Sequence, residues 1–136
     1  MSKQFDLAWM DRYRGIVNAD GPFRNVGKFC NVRFLLGIGD QDFLVVVEQG
    51  RVVSITESGA FDFDANWQFA LRGPVDSWAK FAQKVPPPTY TDVVFMTFNS
   101  RIKLEGNLLV FWQNIRALLW MFELMRKVDA KASAPA

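Results

Sequence analysis

Hydrophobic and polar positions change rhythm several times along this chain, and each change marks an element. Phe5, Trp9, Tyr13 and Ile16 recur at close to every fourth residue, which predicts a short amphipathic helix ending around Gly15 to Asn18. Asp20-Gly21-Pro22 reads as a turn. From Phe29 to about Arg72 the period is two. Val32, Phe34, Leu36 and Ile38 share one side of a first strand, and Gly39-Asp40 turns the chain into a second, Asp42 to Glu48. Gln49-Gly50 turns it again into a third, Arg51 to Glu57. The longest alternation follows: Phe61, Phe63, Ala65, Trp67, Phe69 and Leu71 face one way, and Asp62, Asp64, Asn66, Gln68 and Arg72 the other. Such a strand belongs to a sheet with one covered side.

Gly73-Pro74 breaks that strand, and Pro74 suits the start of a helix. Trp78, Phe81, Ala82 and Val85 then form a helical stripe that Pro86 to Pro88 end. A second short helix is expected from Thr89 or Thr91, with Asp92 favourable to its dipole. Arg101 to Gly106 reads as a short strand, and Asn107 opens a final helix. The order predicts an α+β fold, with helices gathered on one face of a mainly antiparallel sheet. Residues 1–129 are expected to form one domain, with 130–136 as an unstructured tail.

The final helix is the most unusual stretch. Fourteen of the eighteen residues from Leu108 to Met125 are apolar. A membrane span is disfavoured, because Gln113, Asn114, Arg116 and Glu123 would be costly in hydrocarbon. On a helical projection Gln113, Arg116, Glu123 and Lys127 form one narrow polar stripe, far less than a surface helix carries. Three roles remain: a buried core helix, a dimer interface, or a wall with sheet on one side and ligand on the other. Periodicity alone favours the core. Met96, Met121 and Met125 suit a pliable ligand lining, though methionine also fills gaps.

Composition narrows the chemistry. The chain has no histidine, which removes Ser-His-Asp and Cys-His catalysis and every His-containing zinc site. Its single cysteine, Cys30, removes Cys₄ zinc and any intrachain disulfide, and fits a buried apolar position in a reducing compartment. A net charge of +2 with no basic run leaves no footprint for nucleic acid. The opening residues lack a secretory apolar core, so a cytoplasmic location is expected. Gly37-Ile38-Gly39 has Asp42 at the third glycine position and a strand after it, so it is a hairpin turn and not a dinucleotide loop. Asp62, Asp64 and Asn66 resemble the start of a calcium loop, but Trp67 holds the glycine position and Gly73 the glutamate position. Asp62 and Asp64, about 7 Å apart along a strand, are explained by a wet sheet face. No catalytic residue, metal or cofactor is expected.

The strand FDFDANWQFAL, the helix SWAKFAQKV with Trp78 inside it, and the segment FNSRIKLEGNLLVFWQNIRAL resemble the sterol carrier protein 2 (SCP2) family of lipid-binding domains. The most specific part is Ile102 to Asn107, where a basic-apolar strand runs through Gly106-Asn107 into an apolar helix. The likeness covers roughly residues 29 to 125. It implies an SCP2-like five-stranded sheet covered on one face by helices, enclosing a hydrophobic tunnel. It also implies non-catalytic binding of a sterol, fatty acid or acyl-CoA, for transfer or presentation to a pathway enzyme. Carried over by position, Phe95, Phe98, Leu109, Trp112, Leu119 and Phe122 would line the tunnel; Trp78, Phe81, Met96 and Met125 complete the candidate lining. The chain ends Ser-Ala-Pro-Ala where eukaryotic members often carry Ser-Lys-Leu, which argues against peroxisomal import, and the stretch from Pro86 to Tyr90 departs from the family pattern. The competing expectation is a non-catalytic accessory subunit that docks on a partner enzyme, or on a second copy, through the apolar C-terminal helix. Transient membrane contact is compatible with either.

Overall fold

Three strands joined by tight turns start the sheet. The computed structural model describes residues 5–58 and 67–128, with β1 at Val32–Ile38, β2 at Gln41–Glu48 and β3 at Arg51–Ser58. Both junctions are antiparallel. At the second, Gln49 and Gly50 take φ of 51° and 73°, the left-handed pair that matches strand twist in a two-residue hairpin. β4 (Phe69–Gly73) lies parallel to β1, and β5 (Lys103–Gly106) lies antiparallel to β4, giving the order β3-β2-β1-β4-β5. The sheet is therefore mixed but mainly antiparallel. The expected strand positions Phe61, Asp62, Phe63, Asp64, Ala65 and Asn66 lie outside the described residues, as does the expected tail.

Period-two alternation gives the sheet a buried face. Val32, Phe34, Leu36 and Ile38 on β1, Phe43, Val45 and Val47 on β2, and Phe69 and Leu71 on β4 are all buried. Register sets Phe34 beside Phe69, where their rings stack with centroids 5.2 Å apart. Phe122 meets Phe34 edge-on at 5.5 Å, and Phe111 meets Phe69 at 5.4 Å. One aromatic seam thus joins sheet to helices.

The helices follow the expected order, the one after Pro74 stopping at Phe81 short of the exposed Val85, with two further differences. α1 (Leu7–Ala19) runs past Gly15, capped by Asp6, whose carboxylate accepts from Trp9 N–H at 2.8 Å. Asp20-Gly21-Pro22 is not a simple turn. Asp20 caps a further helix, α2 (Gly21–Val26), accepting from Phe23 N–H at 2.9 Å, with Pro22 in its first turn. α3 (Val75–Phe81) starts after Pro74, and α4 (Val93–Phe98) is capped by Asp92.

The second difference concerns the apolar helix. It is divided at Asn114 into α5 (Leu108–Gln113) and α6 (Ile115–Glu123). Asn114 has φ −111° and ψ 18°, and its side-chain amide donates to Val110 O at 2.9 Å. A short amide competing with the main chain for that carbonyl loosens the helical ladder there. Across the break Gln113, Arg116, Glu123 and Lys127, the expected polar stripe, are all exposed. Phe111 on α5 and Phe122 on α6 both reach the core.

Candidate hydrophobic binding site

The ten candidate lining residues separate into two groups. Trp78, Phe81, Met96, Phe122 and Met125 are buried in the core between sheet and helices. Trp78 is fixed there by its indole N–H, which donates to Gly37 O at 2.9 Å. Leu119 is half-buried against the same core. The other four lie outside: Phe98 is 75% exposed, Leu109 65%, Trp112 45% and Phe95 40%. Leu108, which sequence reasoning passed over, joins them at 46%. Monomeric proteins seldom leave this much aromatic and leucine surface on two adjoining helices without using it.

Phe98, Leu108 and Trp112 are brought together around one cleft of about 760 Å³, whose lining also includes Pro74, Ile102 and Leu104. Local rules explain the assembly. Phe95 and Phe98 are three apart on α4, and Leu108 and Trp112 four apart on α5, so each pair shares a helix face. Gly106, at φ 93°, turns the chain from β5 into α5 in a conformation that disfavours side chains. A Cβ there would stand 2.7 Å from Gln68 O. Asn107 then caps α5, accepting from Val110 N–H at 3.2 Å. At the floor Gly73 leaves room for Ile102, since a Cβ would lie 2.5 Å from Ile102 Cγ2. Ile102 and Leu104 were legible as alternating apolar residues of the strand. Their meeting with α4 depends on β5 pairing with β4, which periodicity does not state.

The polar rim is basic. Arg72, Arg101 and Lys103 line the cleft, and among the described residues no acidic side chain does. Arg72 is neutralised by Asp42 at 2.7 Å and Glu105 at 3.4 Å. Arg101 lies over the Tyr90 ring at 5.1 Å and donates to Thr89 Oγ1 at 3.2 Å. Lys103 is exposed and has no ion pair among the described residues. Arg126, by contrast, is structural. Its guanidinium donates to Phe81 O at 2.9 Å and Thr91 O at 2.6 Å, and burial pushes its pKa down against the pull of Glu123 and Asp92. It ties the segment after α6 to α3 and the approach to α4.

Among the described residues no group of three or more His, Cys, Asp or Glu could hold a metal ion. A second cleft, of about 930 Å³ beside α1 and the ends of β1 to β3, has a mostly polar lining that includes Arg14, Asn31, Arg33 and Gln49. An apolar molecule gains little there. No helix among the described residues is long and apolar enough to cross a membrane.

The arrangement has counterparts among solved structures. A conserved hypothetical protein from Thermus thermophilus, described as a possible sterol carrier protein, superposes with TM-score 0.72 at 14% identity, over 98% of this chain and 93% of its own. A sterol carrier protein 2 crystal structure gives TM-score 0.70 at 14% identity, over 92% of this chain and 98% of its own. A UbiJ-SCP2 ubiquinone synthesis protein gives 0.58 at 7% identity, over the whole of both chains. No protein-family model and no curated protein sequence matches this chain. The protein has the SCP2-like α+β fold, a mixed sheet with helices packed on its buried face.

Proposed function

We propose that the protein binds a lipid or other hydrophobic ligand of the sterol, fatty acid or acyl-CoA class, for transfer or presentation to a pathway enzyme, and performs no catalysis on it. The observation that carries this reading is the cleft of about 760 Å³ with Phe98, Leu108 and Trp112 around it. That volume lies within the usual range for small-molecule sites. Each methylene removed from water contributes about 0.8 kcal/mol, so ten give roughly 8 kcal/mol before ordering costs. The SCP2-like fold supports the reading, as two similar structures bear the sterol carrier name and a third that of a ubiquinone synthesis protein.

In this reading Phe95, Phe98, Leu109 and Trp112 make first contact. Met96, Leu119, Phe122 and Met125, with Trp78 and Phe81 beneath, form the pliable layer into which an acyl chain would extend. The tunnel is then a space the ligand opens by displacing flexible methionines. A chain without histidine, whose only thiol is buried, offers little for acid-base or nucleophilic chemistry. That same reduced thiol agrees with a cytoplasmic setting.

Native mass spectrometry and organic extraction of protein purified from its host test the proposal. A co-purifying lipid, displaced by a fluorescent fatty acid, is expected. The competing reading, an accessory subunit docked on a partner enzyme or a second copy, draws on the exposure of Leu108 and Leu109. It predicts an empty chain that remains bound to that partner.

A further inference from the structure

At the C-terminal end of α6 lies a further cavity, of about 410 Å³, lined by Lys84, Trp120, Glu123, Leu124, Arg126 and Lys127. Five of the six come from α6 and the turn after it, and Lys84 comes from the segment that follows α3. Arg126 holds the two parts together: its guanidinium donates to Phe81 O at 2.9 Å and lies 4.6 Å over the Phe81 ring. A space of this size falls in the lower part of the range for small-molecule sites.

One wall is an aromatic surface fixed in place. Trp120 is 39% exposed, yet its indole N–H donates to Asp20 Oδ2 at 2.8 Å, from 100 positions away in sequence. The same oxygen accepts from Phe23 N–H at 2.9 Å, the bond that caps α2. The indole plane is thus set before any ligand arrives, and a flat ring that stacks on it forfeits little further freedom. The charges around it are uneven. Arg126 is occupied by main-chain carbonyls and by Glu123 at 3.9 Å. Lys84 and Lys127 are exposed and have no ion pair among the described residues. Hydrocarbon gains little beside two ammonium groups. Compact point charges of this kind suit a phosphate.

We propose that this cavity binds a flat aromatic ring bearing a phosphate, a ligand of the size of a nucleoside monophosphate. The ring lies on the Trp120 indole, and Lys84 and Lys127 meet the phosphate from the two parts of the wall. A phosphate monoester carries a charge of about −1.5 to −2 at neutral pH, which two lysines match and one does not. The site does not depend on the ligand-binding reading, since its lining shares no residue with that of the hydrophobic cleft.

A ¹H–¹⁵N correlation spectrum of the full chain, recorded as adenosine monophosphate is added, tests it. Saturable shifts are expected at the Trp120 indole and at the amides of Lys84, Leu124 and Lys127, with the Trp112 indole unmoved. The affinity should fall as salt rises. Trp120→Leu is expected to weaken binding roughly tenfold. K84Q/K127Q changes two exposed side chains and keeps the fold, and is expected to lower the affinity to that of unphosphorylated adenosine. No saturable shift at the Trp120 indole overturns the proposal, as does equal affinity of the wild-type chain for adenosine and its monophosphate. So does a long-chain fatty acid that displaces the nucleotide, because the cavity would then belong to the lipid site. A wild-type chain that binds the nucleotide and no fatty acid would count against the ligand-binding reading alone.

Discussion

Tyr13 on α1 and Met121 on α6, 108 positions apart in sequence, are joined by a buried hydrogen bond in which the phenol donates to the Met121 carbonyl at 2.7 Å. Met121 lies in the last turn of α6, and its carbonyl also accepts from Leu124 N–H at 3.2 Å. The bond fixes the first helix against the last over the aromatic seam. Tyr13→Phe removes one of the two donors to this buried carbonyl and leaves the Leu124 N–H, so a loss of about 0.5–1.5 kcal/mol is expected. Urea denaturation checks it. An unchanged midpoint would mean that the Leu124 N–H satisfies the carbonyl alone.

Gly106 positions the cleft. Its φ of 93° and the 2.7 Å approach that a Cβ would make to Gln68 O leave no place for a side chain. Gly106→Ala is expected to cost about 1–3 kcal/mol and to shift α5. The expected signature is a lower melting temperature together with weaker ligand uptake. A melting temperature equal to wild type would show that the turn can relax.

Stability has a defined alkaline edge. Burial pushes the Cys30 thiol up from 9.0 to about 11. In the unfolded chain the thiol ionises near its ordinary value, while the native state keeps it protonated. The stabilisation is therefore complete below about pH 9 and is lost as pH rises from 9 to 11. The Tyr13 phenol, raised by burial from 10.0, adds a further loss that begins above pH 10. Thermal melts over that range should fall with pH, and Cys30→Ala should flatten the earlier part of the fall. A wild-type melting temperature constant from pH 9 to 11 would contradict the assignment.

Trp112 separates function from folding. It is 45% exposed and its ring meets Phe111 at 5.3 Å, so Trp112→Asp should cost about 1 kcal/mol and leave the sheet folded. If Trp112 anchors ligand, uptake should drop by roughly 30-fold, equivalent to about 2 kcal/mol. Circular dichroism and a fluorescent fatty-acid titration on the same sample report both. Intact uptake with a dissociated dimer would assign the residue to a subunit contact.

The residues that made the fold legible are those whose neighbours in sequence are also neighbours in space. Alternation placed β1, β2 and β3 within one residue of their observed bounds, and Asn107 marked a helix start through its own side chain, while the start expected at Thr89 or Thr91 falls at Asp92, whose carboxylate caps α4. Asp20-Gly21-Pro22 was ambiguous because the residues that favour a turn also favour a helix start. The division at Asn114 was hidden because fourteen of its seventeen companions in the stretch 108–125 speak only for apolarity, while the break depends on one amide reaching Val110 O. At the candidate site, Phe98 and Trp112 were identifiable as apolar helix residues. Their shared cleft with Ile102 and Leu104 was not, because it forms only once β5 pairs with β4. Periodicity tells which residues avoid water within a helix or strand. It does not tell which of them are left exposed once the elements assemble, and Leu109 and Phe98 are such residues.

The most direct test of a hydrophobic site between α4 and α5 is a ¹H–¹⁵N correlation spectrum recorded while a long-chain fatty acid is added. The account predicts saturable shifts at the Trp112 indole and at the amides of Phe98, Ile102, Leu104 and Leu108, with smaller ones at Met96 and Met125 as the layer beneath yields. Resonances of Asn31, Arg33 and Gln49, at the polar cleft, should stay in place. Absence of saturable shifts, or shifts concentrated at the polar cleft with the Trp112 indole unmoved, would contradict it.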